Sequence, residues 1–213
     1  MSFLRSCIAA AAILLLAACQ TTSIQSAWYD TSYKGGPFRK IVVIASDGTT
    51  SDSRVFEDIF VQKLRATGIE ALPGYTTVPA EARRAQGPFA AAVQATGADG
   101  VIIVRLLHVD TRTQVSTVMM PGPMVGPWGG FYGPGFYGGG FYAGGFYAAP
   151  SVSQYQVASV ETNVYAVPTR TLVWAATTQT VDPGTIPKEA PSYADLIIGQ
   201  LQQRGLVPGT PKG

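Results

Sequence analysis

The residues able to do chemistry are few: His108 is the single histidine, and the two cysteines are Cys7 and Cys19. His108 stands two positions before Asp110, so on a strand the pair would share a face, and a serine from elsewhere would complete the Ser-His-Asp set of a hydrolase. No Gly-x-Ser-x-Gly elbow is present to expose that nucleophile. Arg112 continues the same row, and a solvated strand face needs such polar residues whether or not it catalyses anything. The reading is therefore no catalytic residue and no enzyme, with a hydrolase built on His108 as the least favoured alternative. One histidine and one mature cysteine are too few soft ligands for a structural zinc, so no metal or cofactor is expected. Ser46-Asp47-Gly48-Thr49-Thr50-Ser51 falls between a strand and a helix, where helix amides can hold an anion. It lacks the lysine and the glycine spacing of a phosphate loop, and reads as a turn and cap. Glu161 and Asn163, on a later strand, are placed to form a polar patch with the His108 row.

Cys19 offers a different chemistry. Arg5 supplies a positive start, Ile8 to Leu16 a short apolar stretch, and Ala17-Ala18 small residues before the cysteine. This is a secretory leader pattern, too short to span a bilayer as a helix. Leu16-Ala17-Ala18-Cys19 resembles the cleavage box of bacterial lipoproteins. That resemblance implies removal of residues 1–18, diacylglyceryl on the Cys19 sulfur and a further acyl chain on its amine; two or more chains anchor stably where one does not. It also implies the periplasmic face of the outer membrane, since Gln20 is not the aspartate that retains lipoproteins at the inner membrane. Cys7 leaves with the leader, so no disulfide forms within the mature chain. Lys and Arg total 15 against 13 Asp and Glu, a balance that gives no field to steer nucleic acid.

Residues 19–37 are rich in Thr, Ser and Gly without a sustained period, which reads as a lipidated tether interrupted by Trp28, Tyr29 and Tyr33, aromatics suited to packing on the domain edge or, as the alternative, to touching the membrane interface. The domain is expected over 38–208, with 209–213 a tail. Lys40-Ile41-Val42-Val43-Ile44-Ala45 has the continuous apolar, β-branched character of a strand buried on both faces. Asp52 or Ser53 can cap a helix in which Val55, Phe56, Ile59, Phe60 and Leu64 form one inward stripe, with Arg54, Glu57, Asp58, Lys63 and Arg65 outward. Gly68 stops it, Ile69 to Leu72 is a second strand, and a second helix follows with Pro88 in its first turn and Phe89, Ala92 and Val93 inward. Val101-Ile102-Ile103-Val104 is a further buried strand. From Arg105 the pattern alternates, with Leu107, Val109 and Val115 on one side, as in a half-buried antiparallel strand. Alternation returns at Ala158 to Val164 and at Leu172 to Ala176 across a turn at Pro168-Thr169-Arg170. Ser192 with Asp195 starts a last helix that carries Tyr193, Leu196, Ile197 and Leu201 inward. The fold expected is α/β (α+β-like): a single mixed-sheet domain with a β-α-β-α-β start, a long antiparallel hairpin and a C-terminal helix.

Residues 121–150 differ in kind. Phe131-Tyr132, Phe136-Tyr137, Phe141-Tyr142 and Phe146-Tyr147 each follow a glycine and repeat every five residues. An odd period cannot hold all these rings on one side of a strand, and glycine at this density loses too much entropy to order, so the stretch reads as a loop at the hairpin tip. Eight aromatics on glycine hinges can meet a partner's apolar groove or the faces of sugars; the other reading is a low-complexity insertion that rests on the membrane or on nothing.

The lipoprotein box, Trp28, Gly36-Pro37-Phe38, Lys40-Ile41-Val42-Val43-Ile44, Phe56-Glu57, Gly68-Ile69-Glu70-Ala71, Gly97-Ala98-Asp99 and Leu172-Val173-Trp174, taken in order, resemble a family of uncharacterised proteobacterial lipoproteins. The layout is similar, more distantly, to the α/β domain of the TolB amino-terminal domain, the curli secretion lipoprotein and the lipoprotein activator of penicillin-binding proteins. Relatives of that layout include adaptors and pore subunits, and the aromatic loop departs from all of them. With no nameable catalytic set, and with a lipid anchor that confines the domain near one membrane, the expectation is a non-enzymatic accessory or adaptor lipoprotein holding an envelope partner, with a peptidoglycan or glycan binder using the aromatic loop as the alternative. Cys19→Ala should abolish labelling by a fatty-acid analogue and leave an unprocessed or mislocated chain; normal membrane fractionation of that variant would refute the anchor.

Overall fold

A computed structural model describes residues 22–46, 50–84, 86–121 and 146–209. Cys19 and six of the eight aromatics, Phe131, Tyr132, Phe136, Tyr137, Phe141 and Tyr142, lie outside these residues. The elements run β1 (Thr22–Tyr29), β2 (Lys40–Ala45), α1 (Thr50–Arg65), β3 (Glu70–Pro73), a single-turn α2 (Gly74–Thr77), α3 (Gln86–Ala95), β4 (Gly100–Pro121), β5 (Phe146–Ala166), β6 (Thr171–Val181) and α4 (Ile186–Gln203). They build one six-stranded mixed sheet in the order β1-β6-β5-β4-β2-β3. The chain divides into two compact units: Met1–Asp110 with Gln156–Gly213, and Thr111–Tyr155, whose described residues continue β4 and β5.

The three strands that begin the α/β layer are parallel, β2 lying between β3 and β4 in pairings such as Val42↔Leu72 and Val43↔Ile102. Strict alternation then sends Ile41, Val43, Ile102 and Val104 to one face and Val42, Ile44 and Val101 to the other. The first face carries the larger core, under α1 and α4, where Phe60, Leu64, Trp174, Tyr193, Ile197 and Leu201 are buried. The second is covered by Val78, Ala82 and Val93, the last from α3. Gly68, with φ 89°, takes the left-handed conformation that ends α1, and Gly205 (φ 69°) does the same after α4.

Part of the stretch expected as a tether over residues 19–37 is strand. Thr22–Tyr29 pairs along β6 from Thr22↔Thr180 to Tyr29↔Trp174, with a register shift between Ile24 and Ser26. An edge strand with one solvated side needs little apolar residue content, and the bulge breaks the two-residue period, so composition conceals it. Tyr29 and Tyr33 do pack on the core edge, whereas Trp28 is 52% exposed. Helix α4 begins at Ile186, six residues ahead of Ser192, with Pro191 inside it; the Ser192 hydroxyl donates to the Glu189 carbonyl (3.0 Å) rather than capping the helix. Helix α1 already includes Asp52 and Ser53 in its first turn, and its inward stripe is rotated: Ser53, Glu57, Phe60, Val61 and Leu64 are buried while Val55 is exposed. The strand after Arg105 is not half-buried, since Leu107, Val109 and Val115 are all exposed. Strand pairing reaches Pro121 and resumes at Phe146, so the aromatic stretch expected as loop over 121–150 includes strand backbone at both ends.

Trp174 is 1% exposed and is among the largest fully buried side chains. Trp174→Ala should lower unfolding free energy by about 3–5 kcal/mol, read from urea melts, because the cavity adds to the lost transfer energy.

Candidate binding cleft

The C-terminal end of β2, the stretch of β4 where its parallel pairing with β2 runs out, and the neighbouring part of β5 form one side of a cleft of about 500 Å³, with Arg83 and Phe89 on the other. Open α/β sheets place ligands at this end of their parallel strands. Ser46 sits at the rim, its amide donating to the Val104 carbonyl (2.9 Å) as the β2 pairing runs out. The walls carry Arg105, Glu161, Asn163 and Tyr165, all on one sheet face. Arg105 Nη2 donates to Glu161 Oε2 at 2.8 Å in a part-exposed pair. Phe89, Ile103 and Tyr165 also line an adjoining apolar groove of about 320 Å³ beside α3, with Val93, Val101 and Val167 and with Arg170 among its lining.

Beneath the polar half lies Glu57, fully buried on α1. Its Oε1 accepts the Ala45 amide (2.9 Å) and its Oε2 the Tyr75 amide (2.8 Å). Arg83 Nη1 stands 3.8 Å from Oε1, while its Nε donates to the Val78 carbonyl (3.2 Å). Burial pushes the Glu57 carboxyl above the ordinary glutamate range, against the pull of the Ala45 and Tyr75 amides and the Arg83 charge. Gly74, which begins α2, lets this turn close: a Cβ there would stand 2.6 Å from Ile44 Cγ1 and 2.9 Å from the Val43 carbonyl oxygen.

The sequence-derived candidates separate. Glu161 and Asn163 do form a polar patch, but with Arg105 and Arg83 rather than with the His108 row. His108 Nε2 lies 3.2 Å from Asp110 Oδ2 with both side chains about half exposed, so the two face each other at the surface. Ser46 lines the cleft, while residues 47–49 of the adjoining loop lie outside the described residues. Phe146 and Tyr147 are in β5 backbone. Among the described residues no group of three His, Cys, Asp or Glu is placed to hold a metal ion. Sequence reasoning missed Glu57 and Arg83; a glutamate at a position flanked by buried turns, four residues before Val61 and three before Phe60, was the available signal.

No protein-family model and no curated protein sequence matches this chain. Among solved structures it is similar to the PelC dodecamer from Paraburkholderia phytofirmans, at 15% sequence identity and a TM-score of 0.43, over 86% of this chain and 98% of that one. It is also similar to the lipoprotein GNA1162 from Neisseria meningitidis, at 9% identity and a TM-score of 0.40, over 77% of this chain and 98% of that one. At these identities no activity or partner passes from them to this chain.

Glu57 gives the cleft a measurable signature. With its folded pKa above the unfolded value, the proton is held more tightly in the folded chain, so this contribution to stability is full below the ordinary glutamate range and is lost as pH rises through the raised value. Glu57→Gln removes that titration and turns an amide nitrogen toward a backbone donor. The variant should be less stable by about 1–3 kcal/mol. Urea melts across roughly pH 4 to 8 should show its deficit largest at the acid end and narrowing as pH rises; a deficit independent of pH would contradict the assignment.

Proposed function

We propose that this chain is a lipid-anchored accessory protein of the bacterial envelope, of adaptor type, which holds a segment of a protein partner in the cleft beside α3. The observation that carries the reading is the continuity of a charged half and an apolar half in one groove: Arg83, Arg105, Glu161 and Asn163 adjoin Val93, Val101 and Val167 through the shared Phe89, Ile103 and Tyr165. Such a groove suits a peptide that presents a carboxylate to the arginines and an apolar side chain next to it. Anchoring through Cys19 supports the same reading, since confinement near one membrane raises effective concentration for anything resident there. Placement at the periplasmic face of the outer membrane follows from the Gln20 rule and belongs to the same proposal.

The aromatic stretch is a second contact in this proposal, with Phe131, Tyr132, Phe136, Tyr137, Phe141, Tyr142, Phe146 and Tyr147 as its candidate residues. In-cell photo-crosslinking from Tyr165 and from Phe136 tests both. A protein adduct from Tyr165 that Arg105→Glu abolishes supports the cleft, because the reversal sets two carboxylates against the incoming one. A protein adduct from Phe136 supports the loop, and sugar-bearing material there would support the glycan alternative. Absence of any protein adduct from either position in a functional strain would remove the adaptor reading.

A further inference from the structure

We propose that the cleft between the β1–β2 connection and the β5–β6 turn binds an acidic saccharide, a sugar that carries a carboxylate or a phosphate. The cleft lies where β2 and β4 begin, and it is independent of the peptide reading of the groove beside α3. Its lining comes from the connections β1 to β2, α1 to β3, α3 to β4 and β5 to β6, together with Pro208 after α4. Every lining residue belongs to the first of the two compact units. The volume, about 810 Å³, is in the range of pockets that enclose a small ligand.

Hydrogen bonding fixes this lining and leaves an excess of donors. The Asp99 carboxylate receives the Arg39 amide at both oxygens (3.1 and 2.9 Å) and the Lys40 amide at Oδ1 (2.9 Å), while its backbone carbonyl takes the Val167 amide (2.9 Å). One residue therefore ties together the starts of β2 and β4 and the exit from β5. Asp30 Oδ1 accepts the Ser32 hydroxyl (2.6 Å) and amide (2.8 Å), which hold that carboxyl below the ordinary aspartate range. Both acids of the lining are thus engaged by the chain itself. The two bases are not: Lys34 and Arg39 are exposed, and among the described residues neither forms an ion pair, Lys34 acting on Asp30 only through its longer-range field. An anion brought to the cleft meets two cations with donors to spare, whereas a cation meets carboxylates already taken.

Hydroxyls and apolar surface complete the match. Thr169 and Thr171 share one hydrogen bond (2.7 Å), which leaves one hydroxyl hydrogen over. Tyr33 crosses its own loop so closely that a Cβ at Gly35 would collide with its hydroxyl. Burial, followed by the Asp99 charge, pushes this phenol above its ordinary range, so it stays protonated and able to donate. Pro37, Pro168 and Pro208 supply apolar surface against which the C–H face of a sugar ring can pack. An oxyanion, hydroxyls and an apolar ring face occur together in an acidic sugar. A fatty chain would leave the hydroxyls and both cations unanswered.

The full chain in detergent, titrated with glucuronic acid, glucose 1-phosphate, inorganic phosphate and glucose and read by saturation-transfer NMR, tests this. At least one acidic sugar should bind about tenfold more tightly than glucose or inorganic phosphate, and the tighter of the two names the anionic group. The double exchange Lys34→Gln with Arg39→Gln should weaken that binding about tenfold without moving the thermal midpoint, since both side chains are exposed. Either exchange alone should account for part of the loss, and Lys188→Gln, at the start of α4, should cause none. No binding of either acidic sugar would overturn the proposal, as would a folded double variant that binds like the parent. Glucose binding equally well would overturn the anionic requirement, and inorganic phosphate binding equally well would overturn the saccharide.

Discussion

A glutamate enclosed by protein ties together the end of the fold where β2 stops. Glu57 accepts one amide from the last residue of β2 and one from α2, so a single side chain on α1 satisfies two part-buried backbone donors. The rotation of α1 about its axis is fixed by this requirement as much as by its apolar stripe. Everything on the cleft floor follows: Ala45 and Ser46 are held where β2 ends, Gly74 is drawn against Ile44, and Arg83 stands near a charge it does not touch closely. An arginine so placed keeps donor capacity toward the cleft, which is the property a carboxylate-bearing segment would meet.

The parts of this architecture that were legible in sequence are those where burial is symmetric. Lys40–Ala45 and Val101–Val104 are covered on both faces, so their composition alone marks them, and the glycines at 68, 97 and 205 mark helix ends because positive φ favours that residue. The illegible parts are those where one tertiary contact overrides a periodic pattern. Glu57 reads as an outward residue until the two amides facing it are known, and Val55 reads as inward until the helix is turned to satisfy them. β1 reads as a linker because half of an edge strand faces water and a bulge interrupts the other half. Leu107 and Val109 read as core because alternation reports which residues share a side, not whether anything covers that side. Of the cleft, Glu161 and Asn163 were visible as polar strand residues, whereas Arg83 lies in a short turn after α2 that has no periodic signature.

The interior also contains a polar layer that apolar patterning does not specify. Thr162 Oγ1 meets the Tyr193 hydroxyl at 2.5 Å, and Thr22 meets Thr180, both on the face beneath α4. Burial raises the Tyr193 pKa to about 12, so the phenol remains a neutral donor or acceptor across any ordinary pH. Hydroxyl pairs of this kind fix the sliding position of strands that apolar contacts alone would leave free to shift.

The β1–β6 pairing joins residues 158 positions apart, which bears on the order in which the chain can fold. The parallel core of β2, β3 and β4 uses contacts closer in sequence and can form while the N-terminal strand is still detached; the outer edge of β6 then waits for β1 to return over nearly the whole length of the chain. If the parallel core forms first, closure over this distance would slow the final step and would leave an open edge on β6 until β1 docks, a surface onto which another chain could pair. A chain whose first strand is held back at a membrane while the remainder emerges would pass through that intermediate, and the rate at which β1 docks would set how long the edge stays available to chaperones or to misassembly.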